Sequence, residues 1–223
     1  IADPSFGELP TEMIISKDYA AKRRELIDPE KASEMSDWDQ KSSNTVYLTV
    51  ADKYGNVISF IQSIYWEFAS GIVAEDTGII LQDRGALFSL EPGHLNYLEP
   101  SKRPLHTIIP AFVMKDGKPW LSYGVMGGDM QPQGHVQVLL NLVDFGMNIQ
   151  EAGEAPRVCH TADGVALESG ISWQDTVRLM KKGHKIVSGY DIFGGFQGII
   201  IDTEKGTYAG GSDNRKDGCA IGY

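Results

Sequence analysis

Two runs of strand-forming residues, 45–51 and 57–65, face each other across the short stretch Asp52-Lys53-Tyr54-Gly55-Asn56. A connection that short cannot hold a crossover helix, so the two runs form an antiparallel hairpin with Gly55 at the tight position. The device recurs at 108–114 and 120–125 across Lys115-Asp116-Gly117-Lys118, and at 198–202 and 207–210 across Thr203-Glu204-Lys205-Gly206. A short strand is expected at 78–81. Between the second and third hairpins the pattern turns helical. Residues 133–144 place Val136, Leu139, Leu140 and Val143 on one apolar face, with Gly146 as the stop. Helices at 149–155, ended by Pro156, and at 173–182, capped by Ser172 and stopped by Gly183, follow. Hairpins in place of βαβ units predict an α+β fold with mainly antiparallel sheets.

The first 44 residues read differently. They carry Pro4, Pro10 and Pro29, a short helix over 16–26 capped by Ser16, and the polar stretch 34–43, which reads as an exposed linker. The division expected is therefore 1–44 and 45–223. With 223 residues and 42% hydrophobic content the chain is long enough for one sizeable core. A net charge of −10 excludes the basic footprint of a nucleic-acid binder. The sequence has no apolar run long enough to span a bilayer. Ile1 in place of a start methionine leads to the expectation of a processed or truncated chain, so export stays open. Cys159 and Cys219 lack metal-site spacing and are expected to be buried thiols without a disulfide. His94, His135, His160 and His184 suggest no metal site either, His135 reading as a satisfied core or capping histidine. There is no phosphate-cradling loop or dinucleotide fingerprint, and no cofactor is expected.

A series of short blocks in fixed order says more. Thr45 opens a strand after Ser42-Ser43-Asn44. Then come Asp52-Lys53-Tyr54-Gly55-Asn56, Ser70-Gly71-Ile72-Val73, Lys102-Arg103-Pro104-Leu105, Gly127-Gly128, Asp144-Phe145-Gly146 and Ala155-Pro156-Arg157. In this order they resemble the small subunit of the γ-glutamyltranspeptidase family of N-terminal nucleophile hydrolases. The likeness runs from about Asn44 to Tyr223, and residues 1–44 resemble the end of that family's large subunit. The resemblance implies an αββα sandwich, here partial because most of the large-subunit half is missing. It also implies autoproteolysis between Asn44 and Thr45, a large subunit from the same precursor as partner, and a heterotetramer of two processed precursors.

The chemistry such a cut would create follows from the residue type. A threonine hydroxyl needs a nearby base, and a newly freed α-amine with a pKa near ~8 supplies one on the same residue. The β-branched methyl restricts χ1 and so fixes the direction of the hydroxyl. Gly127-Gly128, between a strand and a helix, lets backbone N–H groups reach a developing oxyanion, the role the family gives this pair; a plain strand-to-helix turn is the alternative. Strand alternation puts Ser59, Ile61, Ser63 and Tyr65 on one face. Ser63 falls where the family has a hydroxyl that bonds the nucleophile, the alternative being a solvated strand serine. The basic pair Lys102-Arg103 reads as solvent-facing, with His106 and Thr107 just beyond it as substrate contacts. Gly194-Gly195 reads as a turn, although family members bring a glycine-rich bend near the site here.

Departures from the family pattern bear on the substrate. In γ-glutamyltranspeptidases proper an acid grips the substrate α-amine shortly before a Phe-Ser pair; here Leu87 stands before Phe88-Ser89. Arg84 replaces a neutral amide residue, Tyr65 an asparagine, and His106 and Thr107 two adjacent serines. A lost carboxylate and a gained guanidinium favour an anionic group over an ammonium. The pattern lies closer to the γ-glutamyltransferase-like proteins and glutaryl-type cephalosporin acylases. The substrate expected is a small γ-glutamyl or related acyl amide. The residues ahead of Thr45 keep a second class open, an inactive homologue or an unprocessed precursor fragment with Thr45 locked inside a peptide bond.

Overall fold

Alternation along the strand Asn44–Ala51 (β1) sets the architecture. Val46, Leu48 and Val50 are exposed, while Tyr47 on the opposite face is buried. The computed structural model describes residues 2–33 and 44–223. The expected linker 34–43 lies outside them. Before β1 run two helices, Thr11–Ile14 (α1) and Lys17–Arg24 (α2). Ser16 caps α2 as expected, its hydroxyl accepting from the Tyr19 N–H at 3.1 Å.

β1 pairs antiparallel with Val57–Tyr65 (β2). The Asp52 carboxylate organises their turn by accepting from the N–H groups of Tyr54 and Asn56. Val73–Ala74 (β3) and Ile79–Ile80 (β4) form a small hairpin, followed by a 3-10 turn over Arg84–Leu87. Next come Ala111–Lys115 (β5), Lys118–Met126 (β6), Met130–Val143 (α3) and Ile149–Glu154 (α4). Val158–Thr161 (β7), Gly164–Leu167 (β8), Trp173–Lys181 (α5) and Ile186–Val187 (β9) follow, and Gly195–Asp202 (β10) and Thr207–Ser212 (β11) complete the set. Among the described residues the larger sheet has the order β11-β10-β6-β5, all antiparallel.

β6 lies between two layers, and its side chains say so. Leu121, Tyr123 and Val125 point to one side and pack with Val138 and Leu142 of α3, Ile149 and Ala152 of α4, and Phe196 of β10. Each fully buried side chain of this kind contributes roughly 1.5–3 kcal/mol. The alternate residues, Ser122, Gly124 and Met126, face the β1–β2 hairpin. The result is a helix layer, a four-stranded sheet and a second sheet, three successive layers of an αββα sandwich. At the far side a buried ion pair fixes the chain's last turn: Arg157 Nη2 donates to Asp213 Oδ2 at 2.8 Å, and Arg215 bridges the same Asp213 and Glu168.

Several boundaries correct the sequence reading. β5 begins at Ala111 and not at 108, because Pro110 has no N–H and the Ile109 N–H is spent on the Gln131 side chain at 2.9 Å. α3 begins at Met130 and not at 133; Pro132 sits in its first turn, where an N–H would lack an intrahelical partner anyway. Of the four residues expected on the apolar face of this helix, only Leu139 packs against the core, partly buried. Val136, Leu140 and Val143 are exposed, and the buried stripe is Met130, Gly134, Val138 and Leu142. Gly134 turns that face inward, since without a Cβ it lets Val125 pack directly on the helix. Cys219 is exposed, against expectation, while Cys159 is buried, and neither forms a disulfide. His135 is the satisfied core histidine expected, its Nδ1 lying 2.6 Å from the Gln131 carbonyl oxygen. The three-stranded sheet β7-β8-β9 escaped notice because its strands are only two to four residues long.

Candidate active site

The β1–β2 register places Thr45 directly opposite Ser63, with an irregularity just before it that pairs Asn44 with Tyr65. Across the layer interface β1 tracks β6 in steps of two. Thr49 Oγ1 lies 2.7 Å from Ser122 Oγ. The Tyr47 ring lies against Gly124, where any Cβ would collide with it. Tyr47 also packs with Met126, and Thr45 and Met126 line one groove. Thr45 thus stands at the end of β6 where Gly127 and Gly128 begin.

That glycine pair has a shape other residues resist. Gly127 has φ +118° and Gly128 φ +57°, and a Cβ on Gly127 would sit 2.8 Å from Gly194 Cα. The turn at Gly194 is therefore packed against this pair. α3 starts two residues later, so its partial positive N-terminal end faces the same region. A hydroxyl-bearing strand end beside two glycine amides and a helix N-terminus suits attack on a carbonyl with charge collecting on its oxygen.

A second group of expected residues gathers behind Ser63. The Ser63 hydroxyl accepts from the Tyr65 N–H at 3.0 Å. Arg84 is buried; its Nη1 donates to the Ser63 carbonyl at 2.8 Å and its Nε to Thr107 Oγ1 at 2.9 Å. Arg84 Nη2 is buried and has no hydrogen-bond partner among the described residues. The guanidinium lies 5.7 Å from the centre of the Tyr65 ring. Burial, followed by the charge of Asp129, raises the Tyr65 hydroxyl pKa, and burial lowers that of Arg84 against the opposing pull of Asp83. His106 is exposed and makes none of these bonds. Lys102, expected in solvent, is buried and bonds Glu99 at 3.0 Å, because the loop folds under the chain's first residues. Among the described residues no cluster of His, Cys, Asp and Glu could hold a metal ion, and no helix is long and apolar enough to cross a membrane.

The groove beside Thr45, of about 430 Å³, has a wall that sequence reasoning missed. Gln197 of β10 and the closing stretch with Lys216, Cys219 and Ile221 line it. Lys216 is held by Asp191 at 2.8 Å. The only hint in the sequence was that the family resemblance runs on to Tyr223.

Comparison with known proteins gives the same picture over the whole length. The family described as Gamma-glutamyltranspeptidase matches residues 1–223. The chain is 38% identical over 234 residues to the glutathione hydrolase-like YwrD proenzyme of Bacillus subtilis (strain 168), covering 100% of this chain and 43% of that protein. It is 34% identical over 232 residues to the oxamate amidohydrolase proenzyme of Klebsiella pneumoniae, covering 100% of this chain and 44% of that protein. The crystal structure of cephalosporin acylase from Bacillus halodurans matches with a TM-score of 0.88 at 42% identity, over 100% of this chain and 42% of that one. The chain therefore spans less than half the length of these relatives, and its layers are those of an N-terminal nucleophile hydrolase. Fold, ordered blocks and full-length match agree, and the chain belongs to the γ-glutamyltranspeptidase family.

Proposed function

We propose that this chain carries the catalytic half of an N-terminal threonine amide hydrolase or acyltransferase, with residues 45–223 as its small subunit and residues 1–44 as the tail of its large subunit. The observation that carries the reading is the pairing of Thr45 with Ser63 on β2, together with the groove that Thr45 shares with Met126, the residue just before Gly127-Gly128. After cleavage at Asn44–Thr45, the free amine takes the Thr45 hydroxyl proton as Oγ1 attacks the substrate carbonyl. The N–H groups of Gly127 and Gly128 donate to the oxyanion. The ammonium returns the proton to the leaving amine as the C–N bond breaks, leaving an ester on Thr45. Water or an acceptor amine then attacks that ester, with the amine as base again.

The partner is the remainder of the same precursor. Val46, Leu48 and Val50 of β1 and Ile58 and Phe60 of β2 form an exposed apolar face on the outer side of the hairpin. A two-stranded sheet is not stable alone, and this is where a fourth layer belongs. The relatives' names, a glutathione hydrolase-like protein, an amidohydrolase and an acylase, support amide substrates. Hydrolysis of an anilide by the purified full-length protein, abolished by blocking the Thr45 amine, is the test of the class; activity unaffected by that block contradicts it.

The acyl group is set by the second cluster. Leu87 offers no charge to an ammonium, whereas Arg84, beside Tyr65 and Thr107, holds a buried Nη2 with no hydrogen-bond partner among the described residues. An anionic acyl end such as glutaryl therefore suits this cluster better than a γ-glutamyl α-amine. Glutaryl anilide is expected to show a kcat/KM at or above that of γ-glutamyl anilide on the mature enzyme. A strong γ-glutamyl preference that survives Arg84→Gln would mean that residues outside this chain hold the amine.

A further inference from the structure

Residues 3 to 6 and the loop after residue 98 meet at a buried carboxylate. The Asp3 side chain is 3% exposed. Its Oδ2 accepts from the Arg103 N–H at 3.0 Å and from Nε at 3.1 Å, and its Oδ1 accepts from Arg103 Nη2 at 2.9 Å and from the Ser5 N–H at 3.0 Å. The neighbouring Lys102 lies 5.0 Å from the centre of the Phe6 ring. Two consecutive loop residues are therefore gripped by the chain's first turn, and Pro104 stiffens the exit.

The same loop then reaches the site at two points. Thr107 Oγ1 accepts from Arg84 Nε at 2.9 Å, and Arg84 Nη1 holds the carbonyl of Ser63, the register partner of Thr45. Two residues on, the Ile109 N–H donates to Gln131 Oε1 at 2.9 Å, in the first turn of α3 just after Gly127-Gly128. Asp3 is thus joined through one short loop to both flanks of Thr45.

We propose that Asp3 is a positioning residue for the Thr45 site, latching the 102–109 loop so that Thr107 and Arg84 keep their places. The proposal rests on the function proposed above, under which the cut leaves Asp3 and Arg103 on two different polypeptides. The fork of a guanidinium fixes distance and plane together, which a single hydrogen bond does not. Arg103's hydrogen bonds hold the Asp3 carboxyl well below the usual carboxylate range. A folded-state pKa that is depressed contributes stability above the unfolded value near ~3.9 and loses it only as pH falls toward strong acid, so the latch stays charged throughout neutral assays.

The test uses the full-length protein with Asp3→Asn, Arg103→Lys, Thr107→Val and Arg84→Gln, and with Asp3→Asn combined with Arg84→Gln or with Thr107→Val. Asp3→Asn is expected to lower kcat/KM on glutaryl anilide about tenfold or more, mainly through KM, with Arg103→Lys in between. In the Arg84→Gln or Thr107→Val background the same substitution should add less than about twofold, since residues acting through one another are not additive. Amide hydrogen exchange should quicken across 102–109 in Asp3→Asn and stay unchanged in β6. A loss that is undiminished in the Arg84→Gln background, or unchanged exchange across 102–109, overturns the proposal. If Thr45→Ala proves as active as the parent protein, the function assigned to Thr45 fails, and the exchange measurement alone decides whether Asp3 holds the loop.

Discussion

Thr45→Ala in the full-length protein is expected to leave one uncut polypeptide and to reduce amide turnover by at least on the order of 10⁴-fold. Both effects follow from a single atom. Thr45 faces Ser63 in the β1–β2 register and lines one groove with Met126, the residue just before the glycine turn. Alanine keeps the backbone and the strand pairing, so the fold and melting temperature should hardly change. Thr45→Ser separates the two demands made of the residue. It retains the hydroxyl but loses the methyl that restricts χ1, so it should cut and turn over more slowly without failing. Efficient cutting of the Thr45→Ala chain would show that another group attacks the Asn44 carbonyl.

Gly128→Val is expected to cost on the order of 10²–10³ in turnover per folded molecule, the size of effect seen when one oxyanion donor is displaced. The reason lies in backbone shape. Gly128 has φ +57° and Gly127 φ +118°, a region that a β-branched residue enters only at a cost of about 1–3 kcal/mol. Valine would relieve that strain by turning the peptide and swinging its N–H away from the carbonyl. Melting temperature measured beside activity keeps the two consequences apart. A variant that is destabilised yet turns over normally once folded would return the pair to a purely structural turn between β6 and α3.

How much of this was legible from sequence depends on how local each feature is. The β1–β2 hairpin was readable because a five-residue connection with Gly55 fixes both strands and their register, and so the facing of Thr45 and Ser63. The caps at Ser16 and Ser172 were readable for the same reason, each hydroxyl binding an N–H three residues on. What failed was set by distant partners. The true face of α3 depends on Gly134 lying under Val125 of β6, and periodicity alone preferred Val136, Leu140 and Val143. Lys102 looked solvated until Phe6 and Glu99 closed on it. Asp3 and Arg103 are 100 residues apart, and nothing in either's neighbourhood announces the other. Tyr65, Arg84 and Thr107 were singled out by departure from a family pattern, and the structure brings them together; His106, singled out the same way, stays exposed outside their hydrogen bonds.

Under the proposed function, the exposed apolar side of the hairpin and the groove beside Thr45 are where the rest of the precursor completes the site around Thr45 and the glycine turn. The most direct measurement is the mass of the purified full-length protein before and after reaction with an acyl donor that deacylates slowly. The account predicts two polypeptides, the smaller beginning at Thr45, with the acyl group recovered as an ester on that residue. An active protein that remains a single uncut chain, or an acyl group mapped to any other side chain, would contradict it.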